Sequence, residues 1–239
     1  MKNVVYLLIV STLMSCDLDS FNCYDGSIVT KELSLNSFHK IDIDFSCEVI
    51  LVDGDEQKIV IEGKDDMIKD LESRSIVSND TWRARTKGNC ILPTKDTRIY
   101  ITVPGLKELS VDGNYMISSE GLLKNVYDAL KIDLEGNGDL SLSLDDMAVL
   151  ELIIDGNSKV DIEGVTNRFN IDCDGNSEIR AHDFWAEIID IKIDGNANMD
   201  VNASQRLIVK MDGKGSVCYK GNPQITSNQE GSSRIKNCN

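Results

Sequence analysis

A glycine that directly follows an acidic residue recurs about every twenty residues through the second half of the chain. The steps between successive copies are 18 to 23 residues. A fixed period of this length is the signature of a solenoid, in which one supersecondary unit stacks on the next. We interpret these glycines as turn-forming structural residues, because each copy then needs a backbone with positive φ or a close approach. They are Gly113, Gly136, Gly156, Gly175, Gly195, Gly213 and Gly231.

The residues around each glycine indicate which kind of solenoid this is. Apolar residues occupy alternate positions before the glycine, as in the segment 150–155, and a second alternating ladder begins four residues after it. A period of two is typical of strands that are buried on one face, and the repeats lack helical spacing. The sequence therefore predicts an all-β solenoid that resembles a parallel β-helix. It would have about seven regular coils of 18–23 residues, over residues 106–237, after a less regular N-terminal β segment.

Two polar columns flank the glycines. Asparagine follows most of them, and stacked asparagine amides can hydrogen-bond along such a column. The acid before the glycine, as at Asp155, Asp174 and Asp194, raises the hypothesis of a calcium row. Neighbouring carboxylates repel by about 0.9 kcal/mol in water, whereas a carboxylate that accepts a backbone N–H of its own turn gains about 1.5–3 kcal/mol. We therefore interpret the acids as turn caps and expect no metal and no cofactor, although calcium binding by this column stays open.

The N-terminus indicates export. Residues 1–15 have a lysine at position 2 and then a short apolar run, as in a secretory signal peptide. The following Leu13-Met14-Ser15-Cys16 resembles the lipobox of bacterial lipoproteins, so Cys16 is the predicted lipid attachment site. Several acyl chains would anchor the protein stably, at about 0.8 kcal/mol per buried CH₂. We expect residues 16–27 to form a tether, and the protein to be a membrane-anchored lipoprotein of a Gram-negative envelope, at the outer membrane.

The charge of the chain excludes one class of partner. The formal net charge is −15, and removing residues 1–15, which carry one lysine and no acid, lowers it to −16. Basic patches with interleaved aromatic residues do not occur. The sequence therefore predicts no nucleic-acid partner.

Six cysteines remain after Cys16, and in an exported protein an even number permits disulfides. Their spacing fits no zinc motif. Cys173 falls in an inward column, which predicts a buried free thiol. Cys218 and Cys238 lie on neighbouring coils but out of register, with an ideal Cα separation of about 8 Å, so only a bend at the chain end would join them. A Cys47–Cys90 pair is another hypothesis. The connectivity stays open for Cys23, Cys47, Cys90, Cys218 and Cys238.

The first third of the chain is also β-rich but less regular. Segments from Ile28 to Val103 alternate as strands, and Asp66–Glu72 has the composition of one or two helical turns. The stretch around Asp53-Gly54 is typical of a hairpin-like turn between two apolar strands. No low-complexity linker follows, so we expect one β domain over residues 28–239.

A series of sequence marks resembles a known family. In order, they are NSFHKIDID, VILVDGDEQKIVIEG, RIYITVPGLKELSVDG, the glycine-centred repeats and VCYKGNP. This order is similar to the putative auto-transporter adhesin, head GIN domain family of bacterial cell-envelope proteins, over about residues 28–238. The resemblance implies the β fold and an envelope location, and it brings no catalytic residue.

Composition and motifs argue against catalysis. His39 and His182 are the only histidines, and no nucleophile elbow, zinc-protease motif or phosphate loop occurs. We expect His182 to be solvated, and Trp185 to pack against its neighbouring coil rather than stack on a sugar. The expected function is a lipid-anchored, non-catalytic binding or adhesion module for a surface glycan or protein. The alternatives are a glycan-active enzyme that uses Asp155, Asp174 and Asp194, and a purely structural envelope protein.

Overall fold

The computed structural model describes residues 24–87 and 94–239. The protein is all-β, as predicted, and its strands form one curled sheet. The strands are β1 (Ile28–Leu33), β2 (Lys40–Asp44), β3 (Cys47–Asp53), β4 (Lys58–Lys64), β5 (Ile76–Ser78), β6 (Thr81–Arg85), β7 (Arg98–Val103), β8 (Glu108–Leu123), β9 (Ala129–Lys220) and β10 (Gln224–Asn237). The described residues also contain one α-helix, α1 (Asp65–Arg74), and a 3₁₀ turn at Thr94–Asp96.

The repeat units stack in parallel and in register. Strand β8 pairs with the start of β9, with Gly113 opposite Gly136, and β10 pairs with the end of β9, with Gly231 opposite Gly213. Between these ends, β9 runs continuously for 92 residues and bends at each glycine of the column. The glycines of successive units therefore lie directly above one another along the stack.

The backbone at this column explains why glycine recurs. The seven glycines have φ values from +80° to +141°, a region that L side chains rarely adopt. The stacking adds a second restriction, since a β-carbon at Gly175 would collide with the carbonyl oxygen of Gly156 in the coil before it. Both the conformation and the packing therefore exclude a side chain here.

The inward ladders form the core that the alternation predicts. Residues three and one before the acid are at most 3% exposed from Leu109 to Met211, and the ladder after the turn is equally buried from Ile117 to Val217. These residues belong to one hydrophobic cluster that includes the buried residues of the first third. Burial weakens at the last coil, where Ile225 is 43% exposed and Ile235 is partly buried, because β9 is the one strand that β10 pairs with among the described residues.

The first third differs from the hairpin prediction. Strand β3 does not pair with β4; it pairs in parallel with β7 and β8, and β7 lies between β3 and β4. A β-carbon at Gly54 would come 2.5 Å from Thr102 Cγ2, so this glycine allows close approach to β7 rather than a two-strand turn. Strands β2 and β3 pair with the two halves of β8, which makes them one further layer of the stack. Strands β6 and β7 pair in turn with β2 and β3.

The predicted helical turns are present, as the ten-residue helix α1. It buries Met67, Ile68 and Leu71 and packs against β1, β4 and β6. The Tyr24 hydroxyl donates a hydrogen bond of 2.7 Å to Asp70 on this helix, and Tyr24 is buried, so the end of the expected tether is docked on the domain. Cys16 and the signal segment lie outside the described residues. Within the described part of the chain, no helix is long and apolar enough to cross a membrane.

Candidate functional site

Outward side chains of the strands after the turn glycines line a surface groove. Because side chains alternate along a strand, the fifth and seventh residues after each glycine face the same way, and stacking aligns them in two columns. The groove that they line crosses several coils and has a volume of about 610 Å³. The polar side chains along it are Ser119, Ser141, Ser143, Asp161, Glu163, Arg180, His182, Asp183 and Asp200.

The groove is acidic, with one arginine at its centre. Four carboxylates line it, and Arg180 is the basic residue that lies among them. Arg180 donates to Glu178 at 2.8 Å and lies 3.5 Å from Asp161. The bond with Glu178 raises the pKa of Arg180, so the guanidinium stays charged. These groups are about half exposed, so the groove offers both donors and acceptors to a polar ligand.

Trp185 follows the groove residue Asp183 by two positions and is 57% exposed. More than half of this residue is therefore open to solvent, and the predicted packing against the neighbouring coil can cover only part of it. Phe184 takes the inward position instead and is fully buried edge-on against Phe169, with ring centroids 5.1 Å apart. Asp183 lines the groove, and alternation along the strand places Trp185 on the same outward face two residues further on.

One end of the groove contains a cluster of mixed chemistry. The ligand-type atoms of His182, Asp200 and Cys218 all lie within 4.8 Å of one another, and the three residues are half-buried. His182 Nε2 is 3.7 Å from Cys218 Sγ. His182 is therefore not simply solvated as expected. The pattern that could have revealed the cluster is its register, since Asp200 and Cys218 are each the fifth residue after a turn glycine.

The structure shows one cysteine pair that the sequence left open. Cys218 and Cys238 form a disulfide, with their Cα atoms 5.8 Å apart rather than the ideal 8 Å. Strand β10 ends at Asn237, and the short Cα separation indicates that the chain end bends toward Cys218, while the Cys238 amide still donates to the Tyr219 carbonyl at 2.9 Å.

The buried thiols are unpaired. Cys173 is a buried free thiol, as predicted. Cys47 is also buried and free, so the Cys47–Cys90 pairing was wrong; Cys90 and Cys23 lie outside the described residues. Burial raises the pKa of Cys47 to about 12 and raises the pKa of Cys173.

The turn column differs from the sequence interpretation in its acids but not in its amides. Asp155, Asp174 and Asp194 are exposed, and none of them accepts a hydrogen bond from a group that the structure describes, so they are not turn caps. The asparagines do form the expected ladder. Each Nδ2 donates to the Oδ1 of the coil before it, at 2.7, 2.9 and 3.0 Å. The bonded residues are Asn137, Asn157, Asn176 and Asn196.

The asparagine ladder borders a second, more open groove of about 650 Å³. Its amides are already engaged with one another. His39 contributes to neither groove, because it lies 2.5 Å from Asp80 and 5.2 Å from the ring of Tyr127.

Parallel strands in register, a column of glycines and a long polar groove on one curled sheet define an all-β protein. The family described as putative auto-transporter adhesin, head GIN domain, matches residues 37–223, and the chain belongs to this family. The expectation from the sequence marks is confirmed. No curated protein matches the chain.

Several solved structures share the fold. A putative adhesin from Bacteroides fragilis is 23% identical with a TM-score of 0.75, over 90% of this chain and 98% of that one. A putative adhesin from Parabacteroides merdae is 17% identical with a TM-score of 0.61, over 90% and 98%. A putative lipid binding protein from Parabacteroides distasonis is 19% identical with a TM-score of 0.54, over 90% and 96%.

Proposed function

We propose that this protein is a lipid-anchored adhesion module of the cell envelope that binds a glycan in the groove beside Trp185. The observation that carries the proposal is the combination of a polar groove with an exposed tryptophan, Trp185, two residues after Asp183, which lines that groove. Sugar hydroxyls need donors and acceptors, which the serines, carboxylates and Arg180 supply. The apolar face of a sugar ring packs on an aromatic side chain, and an exposed indole provides that surface.

The architecture supports the same proposal. The stacked register and the glycine column favour a parallel β-helix-like solenoid, which is a rigid rod. Such a rod displays equivalent side chains at roughly 4.8 Å intervals along its length, so that an extended chain molecule could contact several coils at once. The relatives named as putative adhesins agree with this role, and the lipobox at Cys16 would fix the rod to the outer membrane.

A lipid-binding role has less support. The name of one structural neighbour raises it. The apolar pocket beside Leu51, Leu106 and Met147 has a volume of only about 30 Å³. Pockets for drug-sized ligands are about 300–1,000 Å³, so this one would not hold an acyl chain without rearrangement.

A glycan-active enzyme remains the second candidate because the groove contains four carboxylates. Asp155, Asp174 and Asp194, which the sequence favoured for this role, are not among the groove residues. Catalysis would have to use groove carboxylates such as Asp161, Glu163 or Asp200. The release of reducing ends from bound polysaccharides distinguishes the two functions, since an adhesin should give none.

Binding to a panel of immobilised bacterial and host glycans tests the proposal. Trp185→Ala should weaken binding about tenfold, which is about 1.4 kcal/mol, and Asp161→Asn should weaken it as well. Ile76→Ala is the matched control, because it removes an equally exposed apolar side chain, 60% accessible, from strand β5. If the panel gives no binding, or if Trp185→Ala and Ile76→Ala bind equally well, the groove is not a glycan site.

A further inference from the structure

The strongest unexplained feature is the cluster of His182, Asp200 and Cys218 at the end of the groove. The three side chains come from three successive coils and project from the same outward face. Asp200 and Cys218 are in register, each five residues after its glycine, and His182 reaches them from two residues further along the coil before. The stacked fold itself therefore brings these residues together, although their sequence spacing fits no zinc motif.

The geometry of the cluster fits a tetrahedral ion. With Zn–N distances of about 2.0–2.1 Å and Zn–S of about 2.3 Å, the nitrogen and sulfur ligands of one zinc ion lie about 3.6 Å apart. The distance between His182 Nε2 and Cys218 Sγ is 3.7 Å. The Asp200 carboxylate is within 4.8 Å of both atoms, so a rotation of its side chain would bring it to the same centre.

The disulfide controls whether this site can form. Cys218 Sγ is bonded to Cys238, and a disulfide sulfur lacks the negative charge that makes a thiolate a metal ligand. Reduction would release two thiols close to each other, because the Cys238 sulfur starts bonded to the Cys218 sulfur of the cluster. The four side chains would then offer one nitrogen, one oxygen and two sulfurs, which is a full set for a closed zinc site.

We propose that reduction of the Cys218–Cys238 disulfide opens a zinc site formed by His182, Asp200, Cys218 and Cys238. A small dithiol reductant transfers two electrons and two protons to the disulfide and leaves as its own cyclic disulfide. Each released thiol then loses its proton to water when it binds zinc. Thiolate and imidazole ligands select zinc over calcium or magnesium, which prefer oxygen.

The site would keep the last coil attached in either redox state. The disulfide ties the end of β10 to β9, where burial is weakest. Zinc would replace that covalent link by a shared ion between Cys238 and the residues of β9. Disulfide and zinc are alternatives at the same sulfurs, so each form excludes the other.

Zinc titration of the full mature chain tests the proposal, with calorimetry for affinity and Co²⁺ absorption for thiolate ligation. The reduced protein should bind one zinc ion, and the oxidised protein should bind at least about a hundredfold more weakly. His182→Ala should lower the affinity of the reduced protein by more than about tenfold, since even lost support of a ligand costs 10–100-fold. His39→Ala is the matched control and should leave zinc affinity unchanged.

A second variant removes the need for a reductant. In Cys238→Ser, Cys218 is a free thiol, so this variant should bind Co²⁺ in air with a thiolate charge-transfer band, and adding His182→Ala should abolish it. Zinc binding that is equal in the oxidised and reduced proteins would overturn the proposal. So would affinity that is insensitive to His182→Ala, because other thiols would then hold the metal. Glycan is absent from these measurements, so their outcome is separate from that of the adhesion proposal.

Discussion

The close stacking at the glycine column can be separated from its unusual backbone conformation by two alanine substitutions. Gly136 and Gly26 have nearly the same φ, +107° and +102°. They differ in their surroundings. A β-carbon at Gly136 would collide with the carbonyl oxygen of Gly113, whereas at Gly26 the nearest atom would be Asp65 Cβ at an ordinary 3.7 Å. The Gly26 segment is not free to fray, because Ser27 accepts a hydrogen bond from the Asp65 amide at 3.1 Å.

The expected difference follows from these two surroundings. Alanine at positive φ costs about 1–2 kcal/mol at either position, and the loss of chain entropy in the unfolded state is the same for both. Gly136→Ala must also push two coils apart, which adds about 1–3 kcal/mol, as for overpacking. The extra cost should appear as a melting temperature lower by about 2–12 °C than that of Gly26→Ala, at roughly 2–4 °C per kcal/mol for a chain of this size.

Urea unfolding followed by circular dichroism measures the same difference. The m-values of the variants must agree for the comparison to hold, because repeat proteins can unfold in parts. A difference in unfolding free energy below about 0.5 kcal/mol would refute the argument that contact between coils, rather than φ alone, requires glycine.

Four further outcomes are expected. Replacing Cys16 with serine should abolish incorporation of a fatty-acid analogue and release the protein from the membrane fraction; a variant that stays labelled and membrane-bound would contradict the lipobox assignment. The hydrogen bond from Lys40 lowers the pKa of Glu108 from its ordinary value of 4.5, so Glu108 stabilises the fold above that value and the contribution is lost as the pH falls through the lowered pKa. The difference in melting temperature between the wild type and Glu108→Gln should therefore narrow below about pH 4.5. A difference that does not change with pH would show that the Lys40–Glu108 pair does not stabilise the fold. Cys47, whose pKa is raised to about 12, should resist alkylation at pH 8 until the protein unfolds, as mass spectrometry of labelled peptides would show. A chelator should leave the melting temperature of the oxidised protein unchanged, and a calcium-dependent rise of several degrees that Asp174→Asn abolishes would establish an acidic metal row.

The regular part of the fold could be predicted because the sequence of each repeat indicates how its strands align with those of the next repeat. The glycine fixes the bend, and the alternation on either side fixes which face is buried, so that Leu152 and Ile154 could be assigned to the core from sequence. The first third has no such marker. Phe45 lies opposite Gly113, at the position that glycine takes in later coils. The next residue, Ser46, accepts a hydrogen bond at its hydroxyl from the Asn114 amide at 3.1 Å. Because no glycine marks this position, the sequence did not identify β2 and β3 as one coil of the stack.

The order in which the strands of the first third pair with one another could not be predicted from the sequence either. Pairing of β3 with β7 joins segments about fifty residues apart, and neither segment shows its partner in its composition. A nearby turn such as Asp53-Gly54 then looks like the simplest connection, although the structure places β7 between the two strands. The candidate groove was hidden for a different reason. Its residues occupy outward positions, which alternation marks only as polar, and their chemistry emerges when neighbouring coils are aligned.

Alternation along the strands separates what the fold needs from what a ligand would contact. The inward columns and the glycines are constrained by packing between neighbouring coils. Outward positions such as Asp161, Arg180 and Trp185 face solvent and can change without altering the core. Relatives with 17% to 23% identity can therefore keep the same fold while their surfaces diverge. A groove built this way also distributes its contacts over several coils, so most single substitutions should lower the affinity for a ligand only modestly. Trp185 should be the exception, because a large exposed aromatic ring supplies more contact area than any polar side chain beside it.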